Sequence, residues 1–426
     1  MGAPADRRDE ATERTMNTRT IAVIGGGIVG LCTALSLQQR GFAVTLVAPE
    51  TSREMTSYGN AGVITQASVI PLNIPGLLGK VPRYLLNRDP ALRIAPAFLP
   101  RATPWLLRFM RGCQAESVAS RTASLARLIR PALAAHRHWA REAGAESLFH
   151  ETGWTKLYRH PQARERVSLE CQLWDANEVA YEPLTGTALD QVFDGASRHY
   201  TLGLRIPETA YVDSPGALVA RYRDLFLARG GRWQCASVAG IEPVAGGFRL
   251  QGGDTRYAQV AVCAGPWSRE LVAPLGYRPP LAFERGYHQE FTLGAGQGLA
   301  MPFHDVEGAF VCTPMNGGVR VLTGIEFDAR DRKPTPRQLQ RVLPRVRQVL
   351  ALGEAQGEPW LGRRPSLPDG LPMIGAAPRH PGLWFAFGHG HIGLSTGAVS
   401  GEWLADDILR GREDPQRGAF SPARFA

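Results

Sequence analysis

Between residues 20 and 50 the spacing of apolar positions changes twice. Ile21-Ala22-Val23-Ile24 is a continuous apolar run, too short for a helix and bounded by glycine, which predicts a buried strand. Gly25, Gly27 and Gly30 follow in G-x-G-x-x-G spacing, and residues 31–39 read as a helix that Gly41 closes. Residues 42–47 return to strand character. Strand, glycine turn, helix and strand in that order form the start of a βαβ unit, and in that context the glycines predict a dinucleotide site. The helix begins near Ile28 and Val29, so its first-turn amides and positive end face a pyrophosphate. The acid that grips the ribose in such sites usually ends the second strand. Here the strand runs into Ala48-Pro49 before Glu50. Either Glu50 holds the ribose from two residues further on, or backbone and water hold it and Glu50 is a loop acid.

The pattern continues with a Thr/Ser/Asn/Gly-rich loop at 51–66, a proline-punctuated stretch at 71–104 and helical periodicity over 105–111 and 115–143. A strand is expected at 155–159 and helical structure at 164–177. Ser214-Pro215 caps a helix over 216–229 that Gly230-Gly231 ends. Residues 233–241, 248–251 and 259–262 are strand-like. From 283 to 327 the period becomes two, and 310–313 pairs with 319–323 across Asn316-Gly317-Gly318, an antiparallel block. A strand at 383–387 and a helix at 395–409 finish the chain. With βαβ elements at both ends and in the middle, and an antiparallel block between them, the expected fold is α/β plus α+β: a Rossmann-like nucleotide-binding domain interleaved with an antiparallel-sheet domain. The boundaries expected are 19–70, 195–280 and 360–426 for the first, 71–194 and 281–359 for the second, and a disordered leader over 1–18.

The chain has 426 residues, 44% apolar and 20% charged, ordinary globular values that leave room for two cores. No apolar run is long enough to cross a bilayer. Cysteines 32, 113, 171, 235, 263 and 312 form no C-x-x-C pair and do not cluster with histidine, which speaks against a structural metal or a disulfide framework and fits a reducing cytoplasm. The net charge of +9 is scattered, with no nucleic-acid-binding signature beside it, so nucleic acid is not an expected partner. One stretch differs. Residues 75–113 interleave leucines and aromatics with Lys80, Arg83, Arg88, Arg93, Arg101, Arg108 and Arg111. That mixture suits peripheral contact with the cytoplasmic face of a membrane, and equally suits helices packed on their own core with arginines in water.

Two further glycine turns carry chemistry. The strand at 258–263 empties into Ala264-Gly265-Pro266-Trp267-Ser268, where small residues let backbone approach a ligand. Gly388-His389-Gly390-His391-Ile392-Gly393-Leu394 lies between a strand and a helix, so a second helix N-terminus can stabilise an anion. Residues 363–375 join a guanidinium to a proline-fixed turn. With GGGIVG at 25–30, TSYGNAG at 56–62, CAGPWS at 263–268, ERGYH at 284–288, RPSLPDGLPMIG at 364–375 and GHGHIGLS at 388–395, the chain resembles flavin amine oxidoreductases of the D-amino acid oxidase superfamily. It is most similar to their bacterial D-amino acid dehydrogenase branch, over nearly everything after residue 19.

The resemblance implies FAD rather than NAD, with the flavin facing the antiparallel sheet. Ser57, Asn60, Ala61 and Gly62 would line the flavin, Val238 would touch the adenine through its backbone, and Ala264, Gly265 and Trp267 would lie near the pyrophosphate or ribityl chain. Gly388, Gly390, His391, Ile392, Gly393 and Leu394 would sit at the pyrimidine edge. No cysteine lies in or beside 364–375, so FAD is expected to be noncovalent. Arg364 matches the arginine that clamps a substrate carboxylate, a planar fork meeting a planar anion, the alternative being a structural ion pair. Tyr287 would bond the same carboxylate or close the pocket, or is a buried sheet tyrosine. His391 would meet the flavin edge or the substrate, or merely pack, and His288 has only adjacency to recommend it. The implied reaction is hydride transfer from the Cα of a small amino acid, in first place a D-amino acid, to flavin N5. Electrons would then pass to a quinone or other acceptor. A cyclic imino acid (D-proline or 4-hydroxy-D-proline) is the alternative substrate, and a flavin-carrying subunit that needs a partner is the alternative role.

Overall fold

Ile21, Ala22, Val23 and Ile24 are all buried because their strand, Thr20–Ile24, lies inside a six-stranded sheet. The computed structural model describes residues 19–50, 54–294 and 297–426, so the expected leader at 1–18 lies outside the described residues. Strand order in this sheet is Arg232–Cys235, Ala43–Ala48, Thr20–Ile24, Gln259–Val262, Leu383–Phe387, Met373–Ala376. All pairings are parallel except the last. The chain winds outward to both sides from Thr20–Ile24, which makes the carboxyl end of that strand a topological switch point, where a crevice opens in folds of this kind.

Two helices start at that edge. Ile28–Gln39 follows the first glycine turn, and Gly393–Arg410 follows the last one. They pack so closely that a Cβ on Gly401 would lie 2.6 Å from the carbonyl carbon of Cys32. Their N-termini therefore converge on one place.

The second sheet has ten strands, in the order Leu92–Ile94, Ile325–Phe327, Ala282–Leu293, Gly318–Thr323, Phe310–Met315, Phe303–Asp305, Trp154–Tyr158, Leu202–Ile206, Glu182–Leu184, with Leu352–Ser366 also paired to Ala282–Leu293. The hairpin expected around Asn316-Gly317-Gly318 forms, with Met315 opposite Gly318. In the long antiparallel pair, Glu284 faces Arg364, Gly286 faces Gly362 and His288 faces Trp360. Alternate residues share a face of a strand, so these six lie on one side of the sheet, and Arg285 and Tyr287 lie on the other.

The structure departs from the expected elements in places. The helical stretch 115–143 is two helices, Ala115–Ile129 and Ala132–Glu142, because Pro131 between them has no N–H to continue the ladder. Leu202–Ile206, expected with the nucleotide-binding half, pairs with Trp154–Tyr158 in the ten-stranded sheet. Ile241–Val244, Gly247–Leu250 and Arg256–Tyr257 make a separate three-stranded sheet. Among the described residues no helix is long and apolar enough to cross a membrane, and no group of His, Cys, Asp and Glu is arranged to hold a metal ion.

Three buried histidines tie the sheets and helices together. His136 meets the Leu394 carbonyl at 2.7 Å, His288 meets the Gly59 carbonyl at 3.0 Å, and His389 meets Ser400 Oγ at 3.0 Å. Burial holds their imidazoles low, at about 4, about 3 and about 3 respectively. Unfolded histidine titrates near 6.5 (the reference value) and so binds a proton that the folded ring refuses, which favours unfolding as pH falls from there toward 4. Stability is therefore fully present above about pH 7, and at pH 5 each ring costs about 2 kcal/mol. Denaturant midpoints should fall clearly between pH 7.5 and pH 5, and His389→Asn should show a shallower fall; equal midpoints at the two pH values contradict this reading.

Candidate active site

Beyond the carboxyl ends of the parallel strands lies a cavity of about 510 Å³. Gly25, Gly27, Ile28 and Val29 form part of its wall. Gly25 has φ +115, a conformation L side chains rarely adopt, and a Cβ at Gly30 would overlap the Gly25 carbonyl oxygen. Gly30 thus stands behind the turn, where it lets the helix approach the strand. Ala48, Pro49 and Val238 lie on the same wall, as do Ala264, Gly265 and Trp267. Gly390, Gly393 and Leu394 bring in the second helix start. A phosphate-bearing dinucleotide fits such a cradle: two helix N-termini face it, and side-chain-free backbone lines it.

The loop at 54–62 closes this cavity and is fixed by polar contacts. Ser57 Oγ accepts the Ile28 N–H at 3.1 Å, and Asn60 Oδ1 accepts the Gly62 N–H at 3.0 Å. Arg320, paired with Glu290 at 2.6 Å, donates to the Asn60 carbonyl at 2.6 Å. His288 adds its bond to the Gly59 carbonyl and stacks on Trp360, with ring centroids 4.8 Å apart. Both Ser57 and Asn60 line the cavity. Ala61 lines a neighbouring cavity instead, and Gly62 packs against the Val212 carbonyl.

Of the two readings of Glu50, its position favours the loop acid: its strand ends at Ala48, and Glu50 is exposed and off the cavity wall. The acid that this loop contributes to the wall is Glu54. Sequence reasoning also missed Arg330, which lines the cavity, donates to the Pro266 carbonyl at 3.1 Å and pairs with Glu270 at 2.9 Å. It lies in the turn that follows the strand Ile325–Phe327, outside every motif, so no local signal marks it.

A second cavity, of about 430 Å³, shares Thr56 and Asn60 with the first. The face of the long strand pair that carries Glu284, Gly286, Trp360, Gly362 and Arg364 forms one wall, and His391 and Ser395 form the side toward the last helix. The Arg364 guanidinium lies over Gly286, where a Cβ would sit 2.5 Å from Nη2. Any larger residue at 286 would displace it. Among the described residues no hydrogen bond and no ion pair within 4.0 Å engages this guanidinium. Burial lowers its pKa and the nearby Glu284 carboxylate opposes that, but a guanidinium remains a cation at any ordinary pH.

Tyr287 requires correction. It is counted in the cavity wall, yet its hydroxyl points to the opposite face of the sheet, where it donates to Glu326 at 2.7 Å and accepts the Thr335 N–H at 2.8 Å. Arg285 contacts the same hydroxyl at 3.1 Å. Strand parity decides this: Tyr287 is one residue from Gly286, not two. His391 does reach the cavity, and burial, with Arg364 beside it, holds its imidazole down at about 4, so it is neutral. Gly388 and Ile392, with His391, line a small pocket next to Glu284 and Ser366.

Comparison with known proteins agrees with this geometry. A family model described as FAD dependent oxidoreductase matches residues 20–407. A D-amino-acid oxidase of Bradyrhizobium diazoefficiens is 30% identical over 423 residues, covering 96% of this chain and 99% of its own length. A D-amino acid dehydrogenase 2 of Ralstonia nicotianae is 29% identical over 415 residues, covering 92% and 96%. Among solved structures, glycine oxidase from Geobacillus kaustophilus superposes with a TM-score of 0.72 at 20% identity, covering 95% of this chain and 98% of its own. L-proline dehydrogenase from P. horikoshii gives a TM-score of 0.70 at 16% identity, covering 95% and 97%. At such identities the structural likeness speaks for the fold alone.

Proposed function

Since the chain belongs to the FAD-dependent oxidoreductase family and is an oxidoreductase of the amino acid oxidase and dehydrogenase type, we propose that it oxidises a small D-amino acid at its Cα–N bond. The single observation that carries the substrate class is Arg364: a half-buried cation that no hydrogen bond or ion pair engages among the described residues, on the wall of a cavity that adjoins the dinucleotide cradle. Such a group is a receptor for a carboxylate, which it can meet bidentately. The D-configuration is supported by the names of relatives at 28–30% identity.

FAD, when bound, supplies at N5 an acceptor for the hydride that leaves the substrate Cα. The glycine turn and the Val29 amide would hold its pyrophosphate, Ser57, bonded to the Ile28 amide, and Asn60 would fix the loop beside it, and Gly390, Gly393 and Leu394 would present the second helix start to its pyrimidine edge. Attachment is noncovalent: Cys263, the cysteine on the cradle wall, sits behind Gly25 with its thiol pushed up to about 12 by burial, so it is no nucleophile. Arg364 fixes the substrate carboxylate and thereby the position of Cα, and orientation of this kind supplies several orders of magnitude in rate. His391, neutral, borders the reacting atoms without adding charge.

Electrons leave to a quinone or similar carrier at a lipid surface. Five of the nine exposed large apolar side chains among the described residues, Leu72, Leu78, Leu85, Leu86 and Leu107, fall in one stretch. Exposed Lys80, Arg83, Arg88, Arg101, Arg108 and Arg111 lie among them. Leu72 also lines the substrate cavity, so this stretch runs from the site to the surface. Leucines with basic neighbours suit an anionic interface.

In assays with an artificial acceptor dye, D-amino acids or the cyclic D-proline and 4-hydroxy-D-proline should be oxidised in preference to their L-forms; activity with L-forms alone would overturn the configuration. A charge-assisted bidentate pair contributes about 1.5–3 kcal/mol. Arg364→Ala should therefore raise KM at least about tenfold with FAD content unchanged, and an unaltered KM would remove Arg364 from the site. The holoenzyme should cosediment with anionic phospholipid vesicles at low salt and be released by high salt, and Leu78→Ser/Leu86→Ser should weaken that binding; no sedimentation at low salt excludes the surface.

A further inference from the structure

We infer that Glu284 is the second half of the substrate receptor: it binds the amino acid's ammonium group beside the Arg364 carboxylate site and takes its proton. The inference rests on the reading of the cavity as an amino acid site.

Glu284 is 4% exposed and lies on the walls of both the substrate cavity and the small pocket beneath residues 388–392. Its Oε2 is buried and makes no well-formed hydrogen bond; the Ser366 hydroxyl on the same pocket wall, itself without one, stands near enough to pull the carboxyl pKa down but leaves the oxygen open to a further donor. A buried carboxylate oxygen without a donor is costly, and such an orphan asks for a group that completes it. Arg364 stands directly opposite in the strand pairing and on the same face. Elsewhere in this sheet opposite charges close on each other: Arg320 on Glu290 at 2.6 Å, and Arg285 on Glu326 at 3.3 Å. Glu284 and Arg364 do not come within ion-pair distance. One cation and one anion are thus left side by side on a cavity wall, unspent on one another.

An α-amino acid enters as a zwitterion, its carboxylate and ammonium separated by one carbon. Its charges complement that pair in order and sign. A carboxylate ligand without the amine would instead meet Glu284 as a like charge. Oxidation at Cα requires the nitrogen lone pair, so the ammonium must first lose a proton. The N–H bond breaks, the proton passes to a Glu284 carboxylate oxygen, and the bonding pair stays on nitrogen. Burial pushes the Glu284 carboxyl up from its ordinary range, while Arg364 and then Ser366 pull it down. A raised carboxyl is a better base near neutral pH than an ordinary one. The groups that face it are Arg364 and Ser366 from the partner strand and His389 and His391 from the glycine turn, both imidazoles held neutral. Lys156, Glu170 and His304 lie on the wall of the same substrate cavity.

The test compares wild-type holoenzyme with Glu284→Gln in two measurements. Calorimetric titration with propionate, alanine's skeleton without the amine, should show tighter binding to the variant, by about threefold or more, because a like charge is gone. Steady-state kcat/KM for the best D-amino acid of the panel should fall at least about tenfold at pH 7. That loss should narrow as pH approaches the substrate amine's own pKa, where the base is no longer needed. Parallel weakening of propionate and substrate, or a variant pH profile that runs parallel to wild type, would reduce Glu284 to a structural residue and overturn the inference. If Glu284→Gln does not retain FAD, Glu284→Asp serves: it should keep the wild-type acidic limb with a lower kcat/KM, and wild-type kinetics would contradict the role. A wild-type enzyme that oxidises no amino acid at all would instead defeat the functional reading, independently of Glu284.

Discussion

The antiparallel register between Ala282–Leu293 and Leu352–Ser366 is the constraint on which the site depends. It sets Arg364 opposite Glu284 and over Gly286, on the face turned to the cavity. A slip by one residue would turn both charges to the far face, where Arg285, Tyr287, Glu326 and Asp328 already form a buried network. Burying a guanidinium and a carboxylate without partners costs stability. The two faces differ in one pair: Arg285 closes on Glu326 on the far face, whereas Glu284 and Arg364 on the near face stay apart beside the cavity.

The dinucleotide cradle is assembled from segments distant in the chain by a different principle. Close helix packing, with Gly401 against the Cys32 backbone, carries the starts of two helices to the switch point of the parallel sheet. The loop at 54–62 is then held from both sides, by the Ile28 amide on the cradle and by Arg320 and His288 on the ten-stranded sheet. The same loop therefore borders both cavities. These side-chain-to-backbone contacts fix the loop between the two cavities.

Features with a local signature were readable in the sequence. The first glycine turn, the helix after it, the 316–318 turn and the strand at Leu383–Phe387 each carry their own residue pattern, and each forms as expected. Arg364 stands out through the resemblance of residues 364–375 to a motif of the D-amino acid oxidase superfamily, with a structural ion pair as the alternative. What depends on strand parity or on distant partners could not be read. Tyr287 and Glu284 belong to one motif, and only the pairing register decides which of them faces the cavity. Glu50 and Glu54 are both acids after the second strand, and of the two only Glu54 lies on the cavity wall. Arg330 enters the cradle from the turn after Ile325–Phe327, a strand of the other sheet.

The central claim is that a carboxylate on Arg364 places the reacting carbon. Its most direct test is anaerobic bleaching of the oxidised flavin band by an amino acid and by the amine that lacks only the carboxylate, such as D-alanine against ethylamine and D-proline against pyrrolidine. The account predicts rapid bleaching by the amino acid and at least about a thousandfold slower bleaching by the amine, since orientation is lost with the carboxylate. Equal rates for the two would contradict it.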